Sequence, residues 1–348
     1  MSEPTSISQL VASLDERYGG KFAPQPLHIF AVFSRVRPQD LRTVARREKV
    51  DLTVSPLSEN FYDFSLGLRR RFVQGNLITS GKPWTILIRP SESSAVAGEV
   101  SRIALKHLYP DLGSAYVESE QLLDFLDQLS DQIGASSLQI RDYFLKSGKE
   151  GTTKRAWPRG ERYIRKKIEE EMARKFLLDG ISFSARSNTT VEARVARNGH
   201  FVLYGGEKGC YSVFNALIYQ PLVKTAIRNR RLFEGRERRV VDGQPIVSPL
   251  KIEPGIDLGP GMLKDLRLTL MSNYSTAVIH EGNPWLLINA IDRKDGCYYD
   301  IYGYHDQIVV VPSEGASPEG LTRLYTTILD LFPSAKLQPF GAENAVAR

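Results

Sequence analysis

The stretch DFSLGLRRRFVQGNLITSGKPW (residues 63–84) and its echo DLRLTLMSNYSTAVIHEGNPW (residues 265–285) decide the fold. Asp63-x-x-Leu66-x-Leu68 recurs as Asp265-x-x-Leu268-x-Leu270, and Ile78-x-x-Gly81-x-Pro83-Trp84 recurs as Ile279-x-x-Gly282-x-Pro284-Trp285. Pro90-Ser91-Glu92 is then echoed by Pro312-Ser313-Glu314. A stretch of helical spacing follows each triplet and closes on Leu108-Tyr109-Pro110 or Leu331-Phe332-Pro333. The second copy is longer, with DRKDGCYYDIYGYHDQ (292–307) as the insertion. Gly81 and Gly282 read as turns between two strands, the tryptophans as core beneath those turns, and Ser91 and Ser313 as helix N-caps. The expected fold is α+β: two related strand–helix units, an internal duplication, joined by a basic linker and an amphipathic helix.

Outward from the first copy, LHIFAVFS (27–34) reads as a buried strand, 38–49 as a short basic helix, and 61–68, 73–78 and 84–88 as strands. Helical spacing covers 94–108 and 118–133, giving an N-terminal α/β domain over 1–145. Residues 146–180 form the linker and helix: KSGKEGTTKRAWPRG (146–160) is rich in Gly and Lys, and Ile164, Ile168, Met172 and Phe176 repeat every four residues from 161 to 178. The C-terminal α+β domain, 181–348, carries the second copy over about 263–335. Its expected elements are strands at 181–185, 191–196 and 200–204, a helix at 211–228, a Gly/Pro-rich connection at 240–262, strand-rich sequence over 266–311 and a last helix at 321–331.

At 348 residues, 42% apolar and 25% charged, the chain has the composition of a globular protein with a real core. The first twenty residues carry acidic groups and no apolar run, and nowhere do about 18 apolar residues follow one another. The expectation is a cytoplasmic protein with no membrane partner. Two cysteines, Cys210 and Cys297, and five scattered histidines exclude a disulfide framework and show no zinc-site spacing. No metal and no cofactor is expected, and GxGxxG, GxSxG, HExxH and P-loop patterns are absent.

Charge is concentrated in mid-chain. Residues 146–175 hold eleven Lys/Arg against five Glu, and residues 224–239 hold seven against two, whereas the whole chain has a net charge of +6. Clustered cations suit a phosphate backbone through counterion release, and arginine adds bidentate contacts. The nucleic-acid-binding residues read from this pattern are Lys154, Arg155, Arg159, Arg162, Lys224, Arg228, Arg230, Arg231, Arg236, Arg238 and Arg239. In CYYDIYGY (297–304), alternation puts Tyr298, Tyr302 and Tyr304 on one strand face with Asp300, a surface fit to stack bases or to seat a protein.

A third pattern is GGEKGCYSVFNAL (205–217), a glycine-rich turn that delivers Cys210 to a helix N-terminus beside Lys208, where a thiolate is favoured. These dozen residues resemble the nucleophile helix of papain-like cysteine proteases and deubiquitinases. The resemblance implies a downstream histidine and an orienting Asn or Asp, filled here by His280 and Asn289 at a shorter spacing than the family's, and no glutamine precedes Cys210 to donate to an oxyanion. Asp292-Arg293-Lys294 imitates the acidic-x-Lys end of a nuclease site but more simply marks a hairpin turn. The leading expectation is therefore a non-catalytic nucleic-acid-binding protein. The alternatives are a cysteine hydrolase with Cys210 as nucleophile, and a protein-interaction subunit or homo-oligomer.

Overall fold

The computed structural model describes residues 26–68, 71–88, 107–134, 137–147, 153–156, 165–172, 176–234, 238–241, 244–282, 285–313 and 316–338, with single positions before residue 17 and at 105. They build two large sheets, of eleven and six strands, and a two-stranded ribbon. The chain sorts into two compact units, the first holding 1–144, 155–165 and 178–229 and the second 145–154, 166–177 and 230–348.

In the eleven-stranded sheet the order is β2 (Leu52–Ser58), β3 (Phe61–Leu68), β4 (Arg71–Ile78), β5 (Trp84–Ile88), β1 (Leu27–Ser34), β11 (His200–Gly206), β10 (Thr190–Ala196), β9 (Phe176–Arg186), β7 (Leu138–Ser147) and β8 (Thr153–Ala156). The short β6 (Leu112–Ser114) also pairs with β1. Pairing is antiparallel from β2 through to β9. Seven of the eight residues of β1 are buried, which explains why it reads as an unbroken apolar run rather than an alternation. On one face Phe30, Val32, Phe64, Leu66, Ile86 and Ile88 pack with Leu41, Val44 and Ala45 of α1 (Leu41–Arg47). Helix α2 (Ser119–Ile133) buries Leu122, Leu126 and Leu129 and opens on a capping box between Glu118 and Gln121.

Of the expected helix over 161–178, the described part is α3 (Arg165–Met172), and the helix ends before Phe176, which already belongs to β9. The helix expected from 211 runs longer. It consists of α4 (Cys210–Phe214), a π-helical segment (Asn215–Tyr219) and α5 (Gln220–Glu234). Asn229, buried, locks α5 to α2: its amide donates to the Gln121 side chain at 2.7 Å and to the Tyr116 carbonyl at 3.0 Å. The ribbon is β12 (Arg238–Val241) with β13 (Gln244–Val247).

The six-stranded sheet runs β15 (Tyr274–Glu281), β16 (Leu286–Asp292), β17 (Tyr298–Gly303), β18 (Ile308–Pro312), β14 (Leu250–Glu253) and β19 (Lys336–Leu337), all antiparallel. Its buried face carries Leu286, Ile288, Tyr299, Ile301, Ile308 and Val310, and helices α6 (Pro260–Asn273) and α7 (Pro318–Leu331) supply Leu263, Leu266, Leu270, Leu324 and Ile328 to the same unit's core.

This architecture overturns the α+β duplication: the described residues are predominantly antiparallel sheet, and the two copies differ in kind. Asp63–Leu68 lies in β3, where Phe64 and Leu66 are buried at strand period. Asp265–Leu270 lies in helix α6, where Leu263, Leu266 and Leu270 form the inward stripe and Leu268 is 50% exposed. The Asp-x-x-Leu-x-Leu spacing satisfies both periods, so it identifies neither. What the copies do share is a hairpin turn, β4 to β5 at Gly81 and β15 to β16 at Gly282. Pro90-Ser91-Glu92 and most of the expected helix over 94–108 lie outside the described residues. In the second copy the helix cap is Ser317, whose hydroxyl accepts from the Gly320 N–H at 2.9 Å, with Pro318 at the first helical position, and Ser313 is not part of it.

Candidate functional site

Helix α5 shows why its cations face outward. Leu222, Ala226, Asn229 and Phe233 form the buried stripe, at helical spacing, which leaves Lys224, Arg228 and Arg231 on the exposed side at i, i+4 and i+7. Among the described residues none of the three makes an ion pair or a hydrogen bond, so their charge is available to a partner. Arg230 is different: its guanidinium reaches the buried Glu319 carboxylate in the first turn of α7.

The linker cations are also committed. Lys154 pairs with Glu171 at 3.0 Å, and Arg155 pairs with Asp142 at 2.5 Å while its guanidinium lies 5.2 Å from the Phe144 ring. Arg159, Arg162 and Arg236 lie outside the described residues, and Arg238 and Arg239 fall on β12.

The tyrosines of β17 sit as the alternation predicts. Tyr299, Ile301 and Gly303 are buried and Tyr298, Asp300 and Tyr302 point to the open face. Cross-strand register places Leu287 beside Tyr302, Asn289 beside Asp300 and Ile291 beside Tyr298, with Val309 and Val311 on the far side. The rings of Tyr302 and Tyr304 lie parallel, 6.4 Å apart. Asp300 accepts from the Tyr298 hydroxyl at 2.5 Å and from the Asn289 amide. The Tyr298 hydroxyl is pushed up to about 12, first by that hydrogen bond and then by burial and the carboxylate charge. The face is therefore aromatic and aliphatic with a carboxylate at its centre.

Cys210 does sit at the start of a helix, after Gly209 at φ 89° and close against Gly206, where an added Cβ would come within 2.7 Å of its own. Its side chain is 1% exposed, and the regular helix that follows has only five residues. The geometry around it offers no opening to a substrate. His280 and Asn289 belong to the second unit, whereas Cys210 belongs to the first. His280 stacks on Trp285 at 3.9 Å, and the Asn289 amide is held by Asp300. Asp292, read as a nuclease carboxylate, is 1% exposed and accepts from Arg323 at 2.8 and 3.0 Å and from the Lys294 N–H at 2.8 Å, a structural role in the turn that begins there.

Among the described residues no group of three or more His, Cys, Asp or Glu side chains could hold a metal ion, and no helix is long and apolar enough to cross a membrane. An apolar cavity of about 30 Å³, lined by Leu27, Ile29, Leu87, Phe214 and Tyr219, is too small for an organic ligand. Sequence reasoning missed one polar cluster altogether. His28, His200, Arg194 and Asp142 are scattered along the chain and meet on the eleven-stranded sheet; no local motif announces them.

No family model and no curated protein matches the chain. Among solved structures it aligns with the immunity protein TplEi of the T6SS from Pseudomonas aeruginosa, solved in complex with an "L" peptide. The alignment has 10% identity over 91% of this chain and 93% of that one, and a TM-score of 0.14. At that score the likeness supports neither a shared fold nor a shared function.

Proposed function

We propose that this is a non-catalytic nucleic-acid-binding protein that contacts phosphates along α5. The supporting observation is the exposed, unneutralised row Lys224, Arg228 and Arg231. It is a narrower surface than charge counting suggests, since Lys154, Arg155 and Arg230 are engaged with carboxylates. A partner of this kind fits a cytoplasmic protein. The test is binding of the whole chain to labelled single- and double-stranded DNA and RNA across salt. Affinity that falls steeply with salt, and weakens when Lys224, Arg228 and Arg231 are changed together to Ala, supports the proposal. Binding that is absent at low salt, or indifferent to those changes, refutes it.

A second reading, a protein-interaction subunit, is favoured by the open face of the six-stranded sheet. Tyr298, Tyr302, Leu287, Ile291 and Val309 form an amphipathic surface of the composition found in protein interfaces. Asp300 among the tyrosines repels phosphate, which supports a protein rather than a nucleic acid as the partner of this face. Changing Tyr298 and Tyr302 to Ala should leave nucleic-acid affinity as it was; a large loss would move the tyrosines back to the nucleic-acid interface.

A further inference from the structure

One face of the eleven-stranded sheet holds a cation that no carboxylate answers. Register aligns His28 with Val202, Val202 with Arg194, and Arg194 with Ser182, so His28, Arg194 and Ser182 share a row across four strands. His200 lies in the adjacent row, opposite Phe30, and stacks on that ring at 4.4 Å. The carboxylates nearby are spoken for. Asp142, 6% exposed, accepts from Arg155 and from the Ser182 hydroxyl at 2.7 Å, and Glu192 is taken by Arg141. Arg194 has no such partner among the described residues. Its guanidinium lies 3.9 Å over the Phe144 ring, and its Nε is buried without an acceptor.

His28, in the same row, is in the same condition. His28 is 4% exposed; its Nδ1 lies 3.1 Å from His200 Nε2, and its own Nε2 is buried without a partner. Only one proton can occupy the contact between the rings, so one ring donates there and the other accepts, and His28 Nε2 is left without a partner on the face that carries Arg194. Burial, with Arg194 second, holds His28 down at about 4; burial, then His28 and Arg194, holds His200 down at about 3. A half-buried guanidinium without an acceptor loses hydration and regains only part of it from the Phe144 ring. Arg194 and His200 are nonetheless partly open to solvent, so the deficit can be met from outside.

We propose that Arg194, with His28 and His200, forms a binding site for a small oxyanion, a phosphate or a carboxylate, whose oxygens take the guanidinium fork and turn the imidazoles into donors. Such an anion offsets the Arg194 charge that adds to burial in disfavouring the protonated rings, so its affinity rises as pH falls. The site is independent of α5, and among the described residues no carboxylate answers its cation.

The test uses the whole chain with its histidine side chains labelled with nitrogen-15. Inorganic phosphate, sodium acetate and sodium chloride are titrated separately at matched ionic strength near pH 6.5, and the imidazole signals are followed. The expected result is saturable movement of the His28 and His200 signals with phosphate or acetate, a rise of a unit or more in their apparent pKa, and no comparable movement at His280 or His305. Saturation by phosphate alone or by acetate alone names the class of oxyanion. Arg194→Met should abolish the movement, and Arg194→Lys should weaken it at least tenfold. Equal shifts with chloride, or no shift at all, overturn the proposal on the wild-type protein alone, whether or not the variants fold. Unchanged saturation in Arg194→Met overturns it as well.

Discussion

Acid should loosen the first unit through the His28–His200 pair, and the effect can be sized. A histidine in the unfolded chain titrates near 6.5, whereas His28 is held at about 4 in the folded protein. Between those values the unfolded chain binds a proton that the folded chain refuses. Stability is therefore whole above about pH 6.5, falls as pH drops through the window, and stops falling, for this group, below about 4. A separation of two and a half pH units corresponds to roughly 3 kcal/mol from His28 alone, a quarter or more of the stability of many domains. His200, held lower still, acts in the same direction. The measurement is urea unfolding of the wild type and of the double variant His28→Leu, His200→Phe from pH 7.5 to 4.5. Phenylalanine at 200 preserves the stack on Phe30. Carboxylates titrate in both proteins, so the difference between the two curves isolates the pair. The wild type should lose roughly 5 kcal/mol more than the variant over that range, about half of it from each ring. Parallel curves would show that the rings are not held neutral by the fold, and the account of Arg194 as an unanswered charge would fall with it.

Changing Lys224, Arg228 and Arg231 to Ala should reduce the slope of log affinity against log salt for duplex DNA by roughly 2.7, since each phosphate contact contributes about 0.9; at moderate salt that is a loss of more than tenfold, read by fluorescence anisotropy. Arg323→Met strands the Asp292 carboxylate in the core and should cost about 3–5 kcal/mol in chemical denaturation, much of it recovered when Asp292→Asn is added. Neither cysteine should react quickly with a thiol reagent at neutral pH: Cys210 is closed to solvent, and burial, then its hydrogen bond to Asp295, pushes the Cys297 thiol up to about 11. Fast, selective labelling of Cys210 would restore the nucleophile reading.

What the sequence disclosed was local. Alternation located β3, β4 and β17, the apolar run located β1, and Gly81 and Gly282 marked two real hairpins, because these signals depend only on near neighbours. The duplication failed where one set of letters served two periods: Leu268 reads as a strand residue beside Leu266 and Leu270, yet Leu263 completes a helical stripe and leaves it outside. Charge counting failed for a related reason. Arg155 and Arg230 look free in a basic run, but the carboxylates that neutralise them, Asp142 and Glu319, come from elsewhere in the chain. His28 and His200 stand 172 residues apart, and only the sheet order brings them into contact.

That sheet order also sets a timetable for the chain as it is made. β1 can pair with β5 as soon as residue 88 has emerged, and β6 can cover Val32–Ser34 on its other edge once residue 114 has, but Leu27–Phe30 on that edge wait for β11, about 170 residues after β1 itself. At ~5–20 residues per second, Leu27-His28-Ile29-Phe30 stay open on that side for roughly 10–30 s on the ribosome. An apolar, uncharged strand edge of that length is a template for pairing with any neighbour that offers one. The nascent protein is thus open to mispairing at a strand that ends almost wholly buried, and its yield in a cell will depend on what shields β1 during that interval.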